Sequence, residues 1–231
     1  MKIIIQIPCY NEEKTLPDVL GDLPRELPGV DAIEYLVIDD GSTDRTAVVA
    51  RLNGAHHVIR METNVGCGAA FNTGLRICRE RGARIIVNTD GDHQYRGDCI
   101  GELVRPIMEK RADMVIGCRP IHAMNEFSWT KKKLQYLGSA VVRKMSGTGV
   151  PDVTSGFRAF SAEATRRLDL RSFYSHTLET LIQAGRKGLR IDHVPVRVNP
   201  PTRESRLIRS TGHYLWRSTL IILLSYYRCR R

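Results

Sequence analysis

Short apolar runs rich in β-branched residues alternate with helix-length stretches through the first half of this 231-residue chain. The runs fall at 3–7, 35–38, 57–60, 84–88 and 114–117, with helical patterns at 16–23, 43–52, 66–81 and 98–110 between them. Strands so far apart in sequence do not join by tight hairpins; a parallel return needs a crossover, usually a helix. The predicted architecture is therefore α/β: a Rossmann-like, mainly parallel sheet flanked by helices. Ligands of such sheets bind beyond the carboxyl ends of the strands. That rule selects three places here, after Ile7, after Ile38 and after Asn88.

Each place carries a polar cluster. The first is Pro8-Cys9-Tyr10-Asn11-Glu12-Glu13, the second Asp39-Asp40-Gly41-Ser42-Thr43-Asp44, the third Thr89-Asp90-Gly91-Asp92-His93-Gln94. Asp90 and Asp92 are two residues apart, so on an extended segment they point to the same side. Two carboxylates so placed repel unless a cation lies between them. Mg²⁺ takes one or two carboxylates together with substrate phosphate oxygens, which suits this pattern. A plain polar turn explains the triplet equally well in isolation; three clusters at successive strand ends favour a crevice holding a nucleotide and a metal-bound diphosphate. Ser42 and Thr43 are expected to cap the helix that follows, with Asp44 at its positive end. His93 is expected to line the site and not to bind the ion.

Beyond 118 the pattern changes. A polar loop at 119–130 precedes a helix near 131–145, a loop-like Asp152-Val153-Thr154-Ser155-Gly156-Phe157-Arg158, helices near 162–168 and 177–187, and a strand over 191–198. Asn199-Pro200-Pro201 ends that strand, because proline cannot donate to a ladder. The expected organisation is a catalytic domain over 1–208 and a C-terminal amphipathic helix within 209–231. Trp216, Leu220, Leu223, Leu224, Tyr226 and Tyr227 lie there between arginines. The stretch is shorter than the roughly 20 apolar residues of a spanning helix. It fits a helix lying in a membrane interface and equally one docked on its own core or on another subunit.

The net charge of +10, with Arg203, Arg206, Arg209, Arg217, Arg228, Arg230 and Arg231 crowding the end, implies an anionic partner. Nucleic acid is not expected, for no aromatic-basic interleaving marks a recognisable module. The six cysteines form no C-x-x-C pair. Met1-Lys2 runs straight into an apolar strand without a signal peptide, so a reducing cytoplasm is the expected compartment.

Further short sequences complete the pattern: Asn64-Val65-Gly66, Gly117-Cys118-Arg119, Ser155-Gly156-Phe157-Arg158, Val194-Pro195-Val196 and Arg203-Glu204-Ser205-Arg206-Leu207. With the three strand-end clusters, and in this order along nearly the whole chain, they resemble the inverting family 2 glycosyltransferases of the GT-A fold. Within that family the dolichol-phosphate mannosyltransferase and polyprenyl-phosphate glycosyltransferase branch is the most similar. The resemblance implies that Pro8, Tyr10, Glu12 and Asp40 hold the nucleoside of a UDP- or GDP-linked sugar. It implies that Asp90 and Gly91 meet the donor's ribose and diphosphate, and that Asp92 and Gln94, assisted by Asp90, bind Mg²⁺ or Mn²⁺. Arg119, Arg203 and Arg206 would contact phosphates; the family usually has lysine at the place of Arg206, and arginine keeps the charge but changes the geometry. Asp92 and Arg119 are thus expected in catalysis, and Asp152 is the candidate base if the acceptor is an alcohol. The expected reaction is metal-dependent transfer to a polyprenyl phosphate at the inner face of the membrane, by a peripherally bound enzyme. Transfer to a soluble hydroxyl acceptor is the alternative.

Overall fold

Lys2–Cys9 forms the first strand, β1, and its burial shows what kind of sheet surrounds it. Ile3, Ile4, Ile5 and Ile7 are all fully buried, with no alternation between wet and dry faces. A strand covered on both faces has this continuous apolar character. Ile4 belongs to one core cluster, with Phe71, Ile182 and Leu181, while Ile3, Ile5 and Ile7 belong to another, with Leu20, Leu103 and Val104. The sheet therefore carries a core on each side. The computed structural model describes residues 1–121, 129–200, 202 and 211–229, apart from the side chains of 129–135, 137, 211 and 213–215.

The elements follow in the order β1, α1 (Leu16–Asp22), β2 (Ala32–Asp39), α2 (Thr46–Leu52), β3 (His57–Arg60), α3 (Cys67–Glu80), β4 (Ile85–Asn88), α4 (Ile100–Met108) and β5 (Met114–Cys118). Then come α5 (Trp129–Ser146), β6 (Arg158–Ser161), α6 (Ala162–Arg166), α7 (Thr177–Arg186), β7 (Ile191–Pro195) and α8 (Thr211–Arg228). The seven strands lie in the order β3-β2-β1-β4-β6-β5-β7. The chain builds outward from β1 through β2 to β3, then returns to place β4 on the other side of β1. The switch point between β1 and β4 opens a crevice at their carboxyl ends.

Two expectations need correction. Residues 152–157 are irregular, but Arg158–Ser161, for which the sequence predicts no strand, form β6, which runs antiparallel between β4 and β5. Four residues are too few to display a strand's period, and the preceding Ser155-Gly156 reads as a turn. The consequence is functional: an antiparallel strand begins where its neighbour ends, so 152–157 arrive at the carboxyl end of β4. The second correction concerns the predicted helix at 43–52, which starts only at Thr46. Ser42 and Thr43 do not cap it. Ser42 Oγ instead accepts from Asn11 N at 2.8 Å, Thr43 N donates to Asn11 Oδ1 at 2.8 Å, and Asp44 Oδ1 takes the N–H of Thr46 at 2.9 Å. The turn ties the end of β2 to the end of β1.

Helix α8 lies on α7. Ile221 and Ser225, one turn apart, are buried, and Arg228 Nη1 stands 3.5 Å from Glu179 Oε1. Trp216, Leu220, Leu223, Leu224 and Tyr227 face outward. Among the described residues no helix is long and apolar enough to cross a membrane.

Candidate active site at the carboxyl ends of the strands

The switch-point crevice receives three of the predicted clusters. Pro8 and Tyr10 are half-buried at the end of β1, and the carboxylate of Glu12 is buried beside them. Asp40 follows β2, joined to β1 by its N–H to Cys9 O at 2.8 Å. Asp90, Gly91 and Asp92 follow β4. The clearest sign of their convergence is Cys9: burial first, then the carboxylates of Glu12, Asp39, Asp90 and Asp92, push its thiol well above the ordinary value. Gly91 sits against the same atom, and a Cβ there would come within 2.7 Å of Cys9 Sγ.

Converging carboxylates need a counter-charge. Arg119, just past the end of β5, lies within electrostatic reach of Asp90, but it already has a counter-ion. Its Nε and Nη2 donate to Asp152 Oδ2 and Oδ1 at 2.7 and 3.1 Å, while Nη1 points to Gln94 Oε1 at 3.3 Å. Asp152 is fully buried and also accepts from Thr154 Oγ1 at 3.0 Å. Burial pushes its carboxyl up, yet the Arg119 guanidinium and its hydrogen bonds prevail and hold it below the usual carboxylate range. Asp90, Asp92 and Gln94 carry oxygen donors only, and the amide oxygen of Gln94 is the one that faces Arg119 Nη1. Among the described residues no group of three His, Cys, Asp or Glu is arranged to hold an ion. Oxygen donors of this kind are the type that Mg²⁺ or Mn²⁺ takes, with further positions left to phosphate and water.

Asp40 is held rigidly. Its two oxygens accept the N–H groups of Val65 and Gly66, each at 2.9 Å. Burial raises its carboxyl above the ordinary value, and those two N–H groups oppose the rise. Gly66 adopts φ +105°, which side-chain-bearing residues avoid, and a Cβ there would strike Phe173 O at 2.3 Å. The Asn64–Gly66 motif therefore braces the Asp40 carboxylate against the 170–174 loop.

Several residues that support the site carry no sequence signal of their own. Gln6 Nε2 donates to Asn88 Oδ1 at 3.0 Å, and Asn88 Nδ2 to Gly156 O at 2.8 Å, a buried amide relay that fixes the Ser155-Gly156 turn. Tyr95 Oη takes the Gly156 N–H at 3.1 Å, and its ring stacks on Phe157 with centroids 5.0 Å apart. Thr15 Oγ1 donates to Gly91 O at 2.7 Å. Arg158, fully buried, donates to Ser155 O, Val153 O and Thr177 O at 2.7–2.8 Å, and burial lowers its pKa to about 10. The periodicity of the sequence marks apolar faces; it is silent on such polar braces, apart from the Arg158 of the Ser155–Arg158 motif. His93 lies within the Asp90–Gln94 loop, its Nε2 3.7 Å from Asp22 Oδ2. Arg203 and Arg206 lie outside the described residues, as does 122–128 of the predicted polar loop.

The seven-stranded, mainly parallel sheet with helices on both faces is that of the GT-A fold. The family model of Glycosyl transferase family 2 matches residues 4–169, and the chain belongs to that family. It is 32% identical over 206 residues to the undecaprenyl-phosphate mannosyltransferase of Micrococcus luteus, covering 85% of this chain and 83% of the relative. It is 34% identical over 217 residues to a UDP-N-acetylglucosamine–dolichyl-phosphate N-acetylglucosaminyltransferase of Methanococcus voltae, with 84% of each covered. Among solved structures, glucosyl-3-phosphoglycerate synthase of Mycobacterium tuberculosis with Mn²⁺, UDP-glucose and phosphoglyceric acid superposes with a TM-score of 0.76 at 24% identity, over 99% of this chain and 79% of that one. This last likeness concerns the fold.

Proposed function

We propose that the protein is an inverting, metal-dependent glycosyltransferase that moves a sugar from a UDP- or GDP-linked donor to a polyprenyl phosphate. Pro8, Tyr10, Glu12 and the fixed carboxylate of Asp40 hold the nucleoside. Asp90 and the Gly91 backbone meet ribose and diphosphate, and Asp92 and Gln94, with Asp90, hold Mg²⁺ or Mn²⁺. The ion supplies charge neutralisation for the departing diphosphate. Arg119, Arg203 and Arg206 add fixed positive charge on the phosphate side.

The observation that carries the choice of acceptor is the state of Asp152. An alcohol acceptor must lose a proton to a base. Asp152 is the candidate base only for such an acceptor, and it is buried, doubly bonded to Arg119 and held below its usual range, so it is a weak proton acceptor. A phosphate acceptor arrives ionised. Its oxygen attacks the anomeric carbon from the face opposite the leaving group, the carbon–oxygen bond to the diphosphate breaks, and the configuration inverts. The names of the Micrococcus and Methanococcus relatives, which specify undecaprenyl and dolichyl phosphates, support the same class of acceptor.

Residues 1–208 form the catalytic unit on this reading, and 209–231 a contact segment. The outward Trp216, Leu220, Leu223, Leu224 and Tyr227 of α8 and the arginines near them suit peripheral contact with the anionic inner face of a membrane. Nucleic acid is not a partner. Sedimentation with anionic vesicles tests the contact, and self-association through the same face would appear instead as a concentration-dependent dimer. The catalytic reading is tested by donor turnover in Asp92→Ala: a loss of roughly a hundredfold or more is expected, and full turnover would exclude Asp92 from the metal site. Transfer to a soluble hydroxyl acceptor, with lipid phosphate left unmodified, is the result that would replace this proposal.

A further inference from the structure

The loop that carries the metal motif is held from outside by a segment that nothing in the reaction requires directly. Four consecutive carbonyls are engaged. Gly91 O accepts from Thr15 Oγ1 at 2.7 Å, Asp92 O from Thr202 Oγ1 at 2.8 Å, His93 O from Asn199 Nδ2 at 3.0 Å, and Gln94 O from Asn199 N at 2.8 Å. The next residue, Tyr95, bridges to Val198. Three of these bonds and the bridge come from the stretch immediately after β7.

Such bracing answers a local need. His93 has φ +58°, a conformation that a side-chain-bearing residue holds only when its surroundings impose it. Asp92 and Gln94 lie on either side of it, so the orientation of the 92–93 and 93–94 peptides decides where both side chains point. Gln94 N donates to Asp92 Oδ1 at 3.2 Å, which links the two candidate ligands through the same turn. Pro200 and Pro201 have no N–H to offer, leaving the Asn199 backbone and amide and the Thr202 hydroxyl as donors on this stretch. In sequence, Arg203, the first of the arginines proposed to meet phosphate, follows Thr202 directly.

We propose that Asn199 and Thr202 are positioning residues that latch the metal loop, setting the direction of Asp92 and Gln94 and hence the affinity for the divalent ion. The inference rests on the reading of Asp90, Asp92 and Gln94 as the metal site. Partners one step removed from a metal typically change its affinity by about 10- to 100-fold when lost.

The test is equilibrium Mn²⁺ binding, followed by the loss of the free-ion electron paramagnetic resonance signal, in the presence of UDP or GDP. Asn199→Ala and Thr202→Val should each weaken binding by roughly tenfold, while Thr202→Ser, which keeps the hydroxyl, should bind as the unaltered protein does. Thr202 is exposed, so its variants should keep the unaltered melting temperature. Turnover at saturating Mn²⁺ should return close to the unaltered rate, because the ligands themselves remain. Unchanged Mn²⁺ affinity in both Asn199→Ala and Thr202→Val overturns the latch while leaving the metal site intact. Equal weakening in Thr202→Ser and Thr202→Val also overturns it. Absence of Mn²⁺ binding by the unaltered protein overturns the metal reading itself, and the latch with it.

Discussion

Arg119 and Asp152 form a two-pronged ion pair at the wall of the crevice, with Nε and Nη2 of the arginine 2.7 and 3.1 Å from the two carboxylate oxygens. The carboxylate is fully buried and the guanidinium side chain nearly so. Removing one member of a buried pair leaves the other charge uncompensated, at a cost of about 3–5 kcal/mol. Asp152→Ala should therefore lower stability by that order in denaturant titration, and should weaken donor turnover as well. Because the folded pKa of Asp152 is depressed, its contribution is complete above the unfolded carboxylate value of about 4 and is lost as pH falls through the folded value. The variant and the unaltered protein should thus converge in stability only in strong acid.

Gly156 separates activity from stability. A Cβ at this position would lie 2.8 and 2.9 Å from the two carboxylate oxygens of Asp90. The Asp90 side chain can turn aside, so Gly156→Ala should fold while displacing a donor-site carboxylate. A rise in donor KM of about tenfold is expected from a misplacement of this kind. Gly138→Ala serves as the comparison, since nothing lies within 4 Å of its added Cβ; it should leave kinetics unchanged and stabilise α5 by up to about 1 kcal/mol.

His176 gives the fold a pH dependence unrelated to chemistry. Its ring stacks on Phe71 with centroids 3.8 Å apart, and its Nε2 is buried without a hydrogen-bond partner. Burial, and then the charge of Arg158, hold its pKa well below 6.5. Below about pH 6.5 the unfolded chain takes up a proton that the folded chain refuses, so stability falls on acidification by up to about 1.4 kcal/mol per pH unit. Melting temperatures between pH 7.5 and 5 should show this slope reduced in His176→Gln. An identical slope in the two proteins would remove His176 as its source.

How much of this was legible in the sequence depends on the kind of residue. The apolar runs around Ile3, Leu36, Ile86 and Val115 announced strands, because a strand buried on both faces is written as consecutive apolar residues. The carboxylates of Asp40, Asp90 and Asp92 stood out because polar clusters recur at three successive strand ends, where any one alone reads equally well as a turn. β6 was not legible: Arg158–Ser161 offers four residues, and its neighbours look like a turn. Asn199 was read as part of a strand stop, and nothing in Asn-Pro-Pro indicates that its amide reaches His93 O. Asp152 could be read either as a base for an alcohol acceptor or as a brace of the 155–157 turn; the distance between 119 and 152 along the chain hides its pairing with Arg119. Polar braces depend on which distant residues the fold brings together, and local patterning does not encode that.

The most direct test of the account offers UDP- and GDP-linked sugars, one at a time, to the protein with Mn²⁺ and a polyprenyl phosphate, and determines the mass and anomeric configuration of the product. The expected product is a polyprenyl phosphate carrying one sugar of inverted configuration, formed with Mn²⁺ or Mg²⁺, abolished by chelation and lost in Asp92→Ala. A product formed only on a soluble hydroxyl acceptor, one with retained configuration, or one made equally well after chelation would contradict it.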